Sequence, residues 1–181
     1  DSIYAVGGRQ YRTDPKYGHI YDHFGVEFIY PGDVRTISMC RQIEGTANNV
    51  SERVVGTKGV ASWEGSNARI VGENSWRFQG TKVNPYVQEH ADLIQRIRAG
   101  RPLNEGKRIA DSTLCAIMGR ESAYSRQQFR RPWFMERCTL NLVPPANLKL
   151  SDAKPVPAVA VPGQYQLPGW VSEARGRGKR G

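Results

Sequence analysis

Tyr21-Asp22-His23 puts a carboxylate beside an imidazole at the start of an alternating segment, the residue types needed for acid/base work or for orienting a polar ligand. Neighbouring residues of a strand point to opposite faces, so without a bulge only one of the two is expected to enter a given pocket. A strand-edge Asp with a half-buried His is the plainer reading, and the sequence leaves both open. Two further segments, Gly8-Arg9-Gln10 and Cys40-Arg41-Gln42, set a guanidinium next to an amide. Such pairs grip hydroxyls or carboxylates, and they serve equally well as cross-strand pairs in a sheet. Arg9, Gln10, Asp22, His23 and Arg41 are therefore the candidate pocket residues.

Other reactive types are less promising. His90 falls on the apolar stripe of a helix and is expected in the core, with Glu89 and Asp92 beside it solvated. Cys40, Cys115 and Cys138 are odd in number and widely spaced, which suits three small buried or half-buried hydrophobes rather than a disulfide framework or a zinc site. With only three scattered His beside them, no metal site is expected. Gly176-Arg177-Gly178-Lys179-Arg180-Gly181 has the spacing of a dinucleotide fingerprint, but it follows no strand and opens no helix, so it reads as a disordered Arg/Gly tail. Lys154 reads as a solvated lysine, and the sequon Asn49-Val50-Ser51 is too short a signal to act on.

The elements that must position these residues fall into two halves. From Tyr21 to Tyr30, Phe24, Val26, Phe28 and Tyr30 share one side while His23, Gly25 and Glu27 share the other. Pro31-Gly32-Asp33 then turns the chain into Val34–Gln42, with Arg35 and Arg41 bracketing Ile37 and Met39 on one face. Short strands are also expected at 51–55 and 60–63 around Gly56-Thr57-Lys58-Gly59, and at 68–71 and 75–78. Asn84-Pro85 caps a helix whose stripe is Tyr86, His90, Leu93, Ile94 and Ile97, ended by Gly100 and Pro102. Asn104 caps a second helix, with Ala110, Thr113, Leu114, Ile117, Glu121 and Tyr124 on its stripe, running to about Gln127. The fold class is α+β: an open, largely antiparallel sheet with two consecutive helices packed on one face. Beyond Arg131-Pro132 regular pattern fades into a Pro-rich extended arm, with six of the eleven prolines between Pro144 and Pro168. The expected boundaries are a domain over 1–131, an arm over 132–169 packed on it, and a basic tail over 170–181.

The chain has 181 residues, 39% hydrophobic and 24% charged, which suits one domain with a real core and is cramped for two. Its net charge of +9 raises a polyanionic partner. Most of that excess sits in Arg126, Arg130, Arg131 and Arg137 and in the tail cations Arg175, Arg177, Lys179 and Arg180, leaving the body nearly balanced. No apolar run approaches the roughly 20 residues of a membrane span, so no membrane partner is expected. Asp1 opens in the middle of a strand-like run with no readable targeting signal, as expected of a piece of something longer.

The segments Gly7-Gly8-Arg9-Gln10, Ile20-Tyr21-Asp22-His23-Phe24, Gly56-Thr57-Lys58-Gly59, Tyr86 to Ile94, Arg98 to Glu105 and Ala116 to Glu121 occur in one order. In this the chain resembles, over about residues 4 to 163, the carboxy-terminal domain of bacterial Gfo/Idh/MocA oxidoreductases. The resemblance implies the substrate-side and oligomerisation domain of an NAD(P)-dependent oxidoreductase acting on a sugar, polyol or related hydroxyl compound. It also implies a separate N-terminal Rossmann domain as partner, with NAD or NADP bound there. The family's glycine fingerprint, Glu-Lys-Pro motif and catalytic Asp/His segment have no counterpart here, so no catalytic or cofactor-binding residue carries over and the chain is expected to be inactive alone. Homo-oligomers are expected through the sheet, on the aromatic side of 21–30. The bacterial cytoplasm is implied, or the periplasm if an export signal precedes the chain. The alternative is a non-catalytic module using its basic C-terminal region for nucleic acid or another polyanion, which the lack of an aromatic stacking platform in the tail makes the weaker reading.

Overall fold

The computed structural model describes residues 2–65, 67–152 and 155–170. The tail from 171 onward, its terminal glycine motif and Lys154 lie outside the described residues. The architecture is α+β, with open antiparallel sheets and helices, as the element pattern predicts. The strands divide into two sheets of four rather than forming one. The contacts likewise separate two compact units, Asp1–Glu44 with Arg108–Gly181, and Gly45–Lys107, where the sequence reading takes 1–131 as continuous.

In the first unit β1 (Ser2–Gly8), β2 (His23–Tyr30), β3 (Val34–Arg41) and the two-residue β8 (Phe129–Arg130) pair antiparallel in the order β3-β2-β1-β8. The register sets Ala5 against Val26 and Val26 against Ser38, so Ile3, Ala5, Phe24, Val26 and Phe28 share one face. Helix α2 (Gly106–Ser125) covers that face with its last two turns, where Met118, Gly119, Ala123 and Tyr124 are buried. Gly119 lets the helix and sheet approach closely, since a Cβ there would stand 3.1 Å from Val26 Cγ1 and force that side chain to give. β8 pairs with β1 only as far as Ile3, which leaves the Ala5 amide without a strand partner. Ser122 Oγ accepts from that amide at 2.9 Å and donates to the Gln127 carbonyl at 2.5 Å, so the helix completes the sheet edge.

Two elements fall where the sequence shows no pattern. β8 is only two residues long, and α3 (Arg131–Arg137) carries Pro132 in its first turn and arginine at both ends. They are held by a cluster in which Phe129 stacks on Trp133 with centroids 5.6 Å apart and Trp133 meets Trp170 edge-on at 4.7 Å. Trp170, assigned to the tail by sequence, is thus a core neighbour. The arm joins the same core: Leu167 is fully buried, Ala160 is buried, and the Ala160 carbonyl accepts from the Tyr21 hydroxyl at 2.7 Å. Residues 141–152 of the expected arm are exposed throughout.

The second unit holds β4 (Ser51–Gly56), β5 (Gly59–Glu64), β6 (Asn67–Gly72) and β7 (Trp76–Arg77) as an antiparallel meander, and α1 (Pro85–Arg98). Gly59 and Gly72 face each other with φ of 155° and 154°, and a Cβ on Gly59 would lie 2.6 Å from the Val71 carbonyl oxygen. Asn84 caps α1 as expected, accepting from the Tyr86 amide at 3.0 Å. The α1 stripe is not core, however: Tyr86, His90, Leu93, Ile94 and Ile97 are all exposed, and His90 Nδ1 lies 2.6 Å from the Tyr86 carbonyl one turn back. Of the two helices, therefore, it is α2 that is packed on a sheet.

Truncating Leu167 to Ala should cost about 2–5 kcal/mol, the range for a buried leucine that leaves a cavity. A urea midpoint unchanged from the parent chain would show that the arm is not part of the core.

Candidate functional site

The candidate residues converge where β1 ends and β2 begins. β1 runs out at Gly8, and the chain loops through a 3-10 turn at Pro15–Tyr17 before returning at Asp22. Asp22 lies in a bend just ahead of β2, its amide donating to the Gly8 carbonyl at 3.0 Å and its carbonyl accepting from the Gln42 amide at 2.7 Å. Its side chain turns inward and is buried. Oδ2 accepts from three successive amides, Gln10 at 2.8 Å, Tyr11 at 2.7 Å and Arg12 at 2.9 Å. Oδ1 lies 2.8 Å from His23 Nδ1. The expectation that strand alternation keeps Asp22 and His23 apart is therefore corrected: Asp22 precedes the pleated segment, and the bend lets the two side chains meet.

Burial alone pushes the Asp22 carboxyl up, but the amides of Arg12, Tyr11 and Gln10 together with the His23 ring outweigh it and hold the group well below the ordinary carboxylate range. Asp22 is thus an anion at neutral pH and no general acid. Because an ionised carboxylate only accepts, the proton in the Asp22–His23 contact belongs to Nδ1, and in the neutral ring it is then Nε2 that carries the lone pair.

The guanidinium of Arg9 is taken up within the loop, where Nε donates to the Arg12 carbonyl at 2.6 Å, Nη2 to the Asp14 carbonyl at 3.0 Å and Nη1 to the Gly18 carbonyl. Arg9 is therefore the loop's organiser rather than the ligand clamp its sequence suggests. Gln10 serves through its backbone amide while the residue lies at the surface. Arg41 is the direct cross-strand neighbour of His23, and Gly8 flanks the ring on the other side. A Cβ on Gly8 would stand 3.0 Å from His23 Cε1 and 3.3 Å from Nε2, so a larger residue there would press the imidazole out of its present position. Of the five candidates, the structure brings His23 and Arg41 together on one face, with Asp22 behind them.

Sequence reasoning misses a second polar cluster. Glu121, on the expected apolar stripe of α2, is buried with Oε1 bonded to Arg120 Nη2 at 2.8 Å and to Nε at 2.9 Å. Oε2 accepts from the Tyr165 hydroxyl at 2.6 Å, tying the arm to the helix. Burial, then the Glu121 bond, pushes the Tyr165 hydroxyl above the ordinary tyrosine range. The bond spans 44 residues, and no local signal announces it.

Cys40 is exposed, against the expectation of burial, while Cys115 and Cys138 are half-buried as that expectation allows. Among the described residues no three His, Cys, Asp or Glu side chains gather as a metal site, and no helix is long and apolar enough to cross a membrane. Every described strand pairing is antiparallel, so these residues do not supply the parallel βαβ unit that cradles a dinucleotide pyrophosphate. Within the basic cluster, Arg131 lies 2.6 Å from Asp111 and Arg137 lies 3.3 Å from Glu136, which offsets part of its charge.

The Asp22 anion stabilises the fold above its unfolded pKa of about 3.9, and that contribution is lost as pH falls through and below this value. Asp22→Asn should therefore cost about 1–3 kcal/mol at pH 7, and the gap to the parent chain should narrow below about pH 4. Urea titrations at both pH values check this, and a gap that stays constant would rule out the anion as the stabilising species.

No protein-family model matches the chain, and no curated protein matches it at a significant level. Among solved structures, a Thermotoga maritima protein described as an oxidoreductase is similar over 70% of this chain, with a TM-score of 0.56 and 18% identity. The chain spans 39% of that protein's length. At such identity the likeness is one of fold: the described architecture recurs as part of a larger protein.

Proposed function

We propose that this chain is the substrate-side and self-associating part of an NAD(P)-dependent oxidoreductase of the Gfo/Idh/MocA kind. Its substrate is a sugar, polyol or related hydroxyl compound, and a Rossmann domain outside this chain supplies the nicotinamide site. The observation that carries the reading is the recurrence of this fold as 39% of a larger protein described as an oxidoreductase. The ordered motif segments from Gly7-Gly8-Arg9-Gln10 to Ala116–Glu121 support it. The antiparallel pairing of the described strands agrees with a division of labour in which this part binds no dinucleotide.

Self-association needs a different face from the one the aromatic pattern suggests. Phe24, Val26 and Phe28 lie against α2 and the core. The opposite face of the same sheet presents Tyr4 and Val6 from β1 with Ile37 and Met39 from β3, the last two 71% and 81% exposed. These residues, with Gly25, Val26 and Glu27, line a shallow depression of about 340 Å³. A contiguous apolar patch of this kind is what soluble proteins keep for partners. A second copy presenting the same patch suits it, since a two-fold contact is self-complementary.

Sedimentation of the 181-residue chain should show a dimer or larger species, and Ile37→Lys should shift it to monomer without lowering the urea midpoint. A parent chain that stays monomeric at high concentration would contradict self-association. Calorimetric titration with NAD and NADP should give no measurable heat of binding, and micromolar affinity for either would overturn the division of labour.

A further inference from the structure

We propose that His23 recognises a substrate hydroxyl, its Nε2 accepting the hydroxyl hydrogen, with Asp22 as the positioning residue that makes the ring an acceptor. This rests on the reading of the substrate as a hydroxyl compound. Asp22 Oδ2 is already served by the amides of Gln10, Tyr11 and Arg12, and His23 is the separate donor to Oδ1. An amide side chain would fill that donor role equally well. What imidazole adds is a second nitrogen on its far edge, which in the neutral ring is the lone-pair nitrogen when Nδ1 donates to the carboxylate.

The surroundings fit such a role. The His23 side chain is 33% exposed while the Asp22 side chain is 0% exposed, so the orienting bond is shielded from water and the ring is not. Gly8 clears the space in which the ring lies. Arg41, directly across from His23, brings a guanidinium to the same end of the sheet. Ile37 is four residues along β3 from Arg41, roughly 13 Å at strand rise, which separates this end from the middle of the apolar patch.

The test is histidine-selective ¹⁵N NMR of the full chain at pH 8, with resonances assigned from single substitutions of His19, His23 and His90 and with myo-inositol and glucose as probes. His23 should be the Nδ1–H tautomer, and its Nε2 resonance should move saturably with at least one probe while His19 and His90 stay fixed. His23→Asn keeps an amide donor for Asp22, so it should retain the urea midpoint yet bind that probe roughly 10-fold more weakly, the loss of about one net hydrogen bond. An Nε2–H tautomer in the parent chain would overturn the proposal without any variant. Undiminished binding by folded His23→Asn would overturn it too and leave the hydroxyl-substrate reading standing. No saturable shift at any resonance with either probe would overturn both.

Discussion

A buried carboxylate is unfavourable unless its lone pairs are taken up, and Asp22 meets that constraint in a way that organises everything around it. Three amides from a loop with no strand of its own converge on one oxygen, and the adjacent imidazole holds the other. The anion thereby closes the connection between β1 and β2, sets the bend that starts β2, and selects the tautomer of His23. Arg9 completes the closure from the opposite charge: its guanidinium reaches the carbonyls of residues 12, 14 and 18 of the same loop. Loop closure and site chemistry thus depend on one ionised group.

The first sheet is asymmetric, and the proposed function draws on that. One face is sealed by the last turns of α2 and by the arm, through Tyr21 to Ala160 and Tyr165 to Glu121. The other is left open, apolar in its middle and polar at the His23–Arg41 end. The arm is thus tied to the segment ahead of β2 and to α2, on the covered side of the sheet. That arrangement is compatible with the proposed role, in which a second copy, a nicotinamide-binding domain or a substrate would complete the open face.

Much of the fold was legible because its signals are local. Period-2 alternation marks β2 and β3 with their faces correctly grouped, glycine-flanked runs mark β4 to β6, and Asn84-Pro85 marks the start of α1. What was not legible is long-range. Which side of β2 is inside depends on α2, some ninety residues on. Whether successive hairpins share an edge is not encoded in either hairpin, so two sheets read as one. β8 exists because Ser2 and Ile3 offer it a partner, and α3 because Phe134 and Trp133 have Phe129 to pack on. At the site, residue types were found and roles were not. Arg9 looks like a ligand clamp until the carbonyls of its own loop come into reach, and Asp22 looks parted from His23 until the bend between loop and strand is seen.

The central physical claim is that Asp22 holds the loop by its amides, and native-state hydrogen exchange reads those amides individually. Gln10, Tyr11 and Arg12 lie outside any strand, and Gln10 and Tyr11 are exposed residues, so without Asp22 their amides would exchange at loop rates. The account predicts protection at all three approaching that of the β1–β2 ladder, and its collapse in Asp22→Asn while the ladder itself stays protected. Fast exchange at these amides in the parent chain would contradict it.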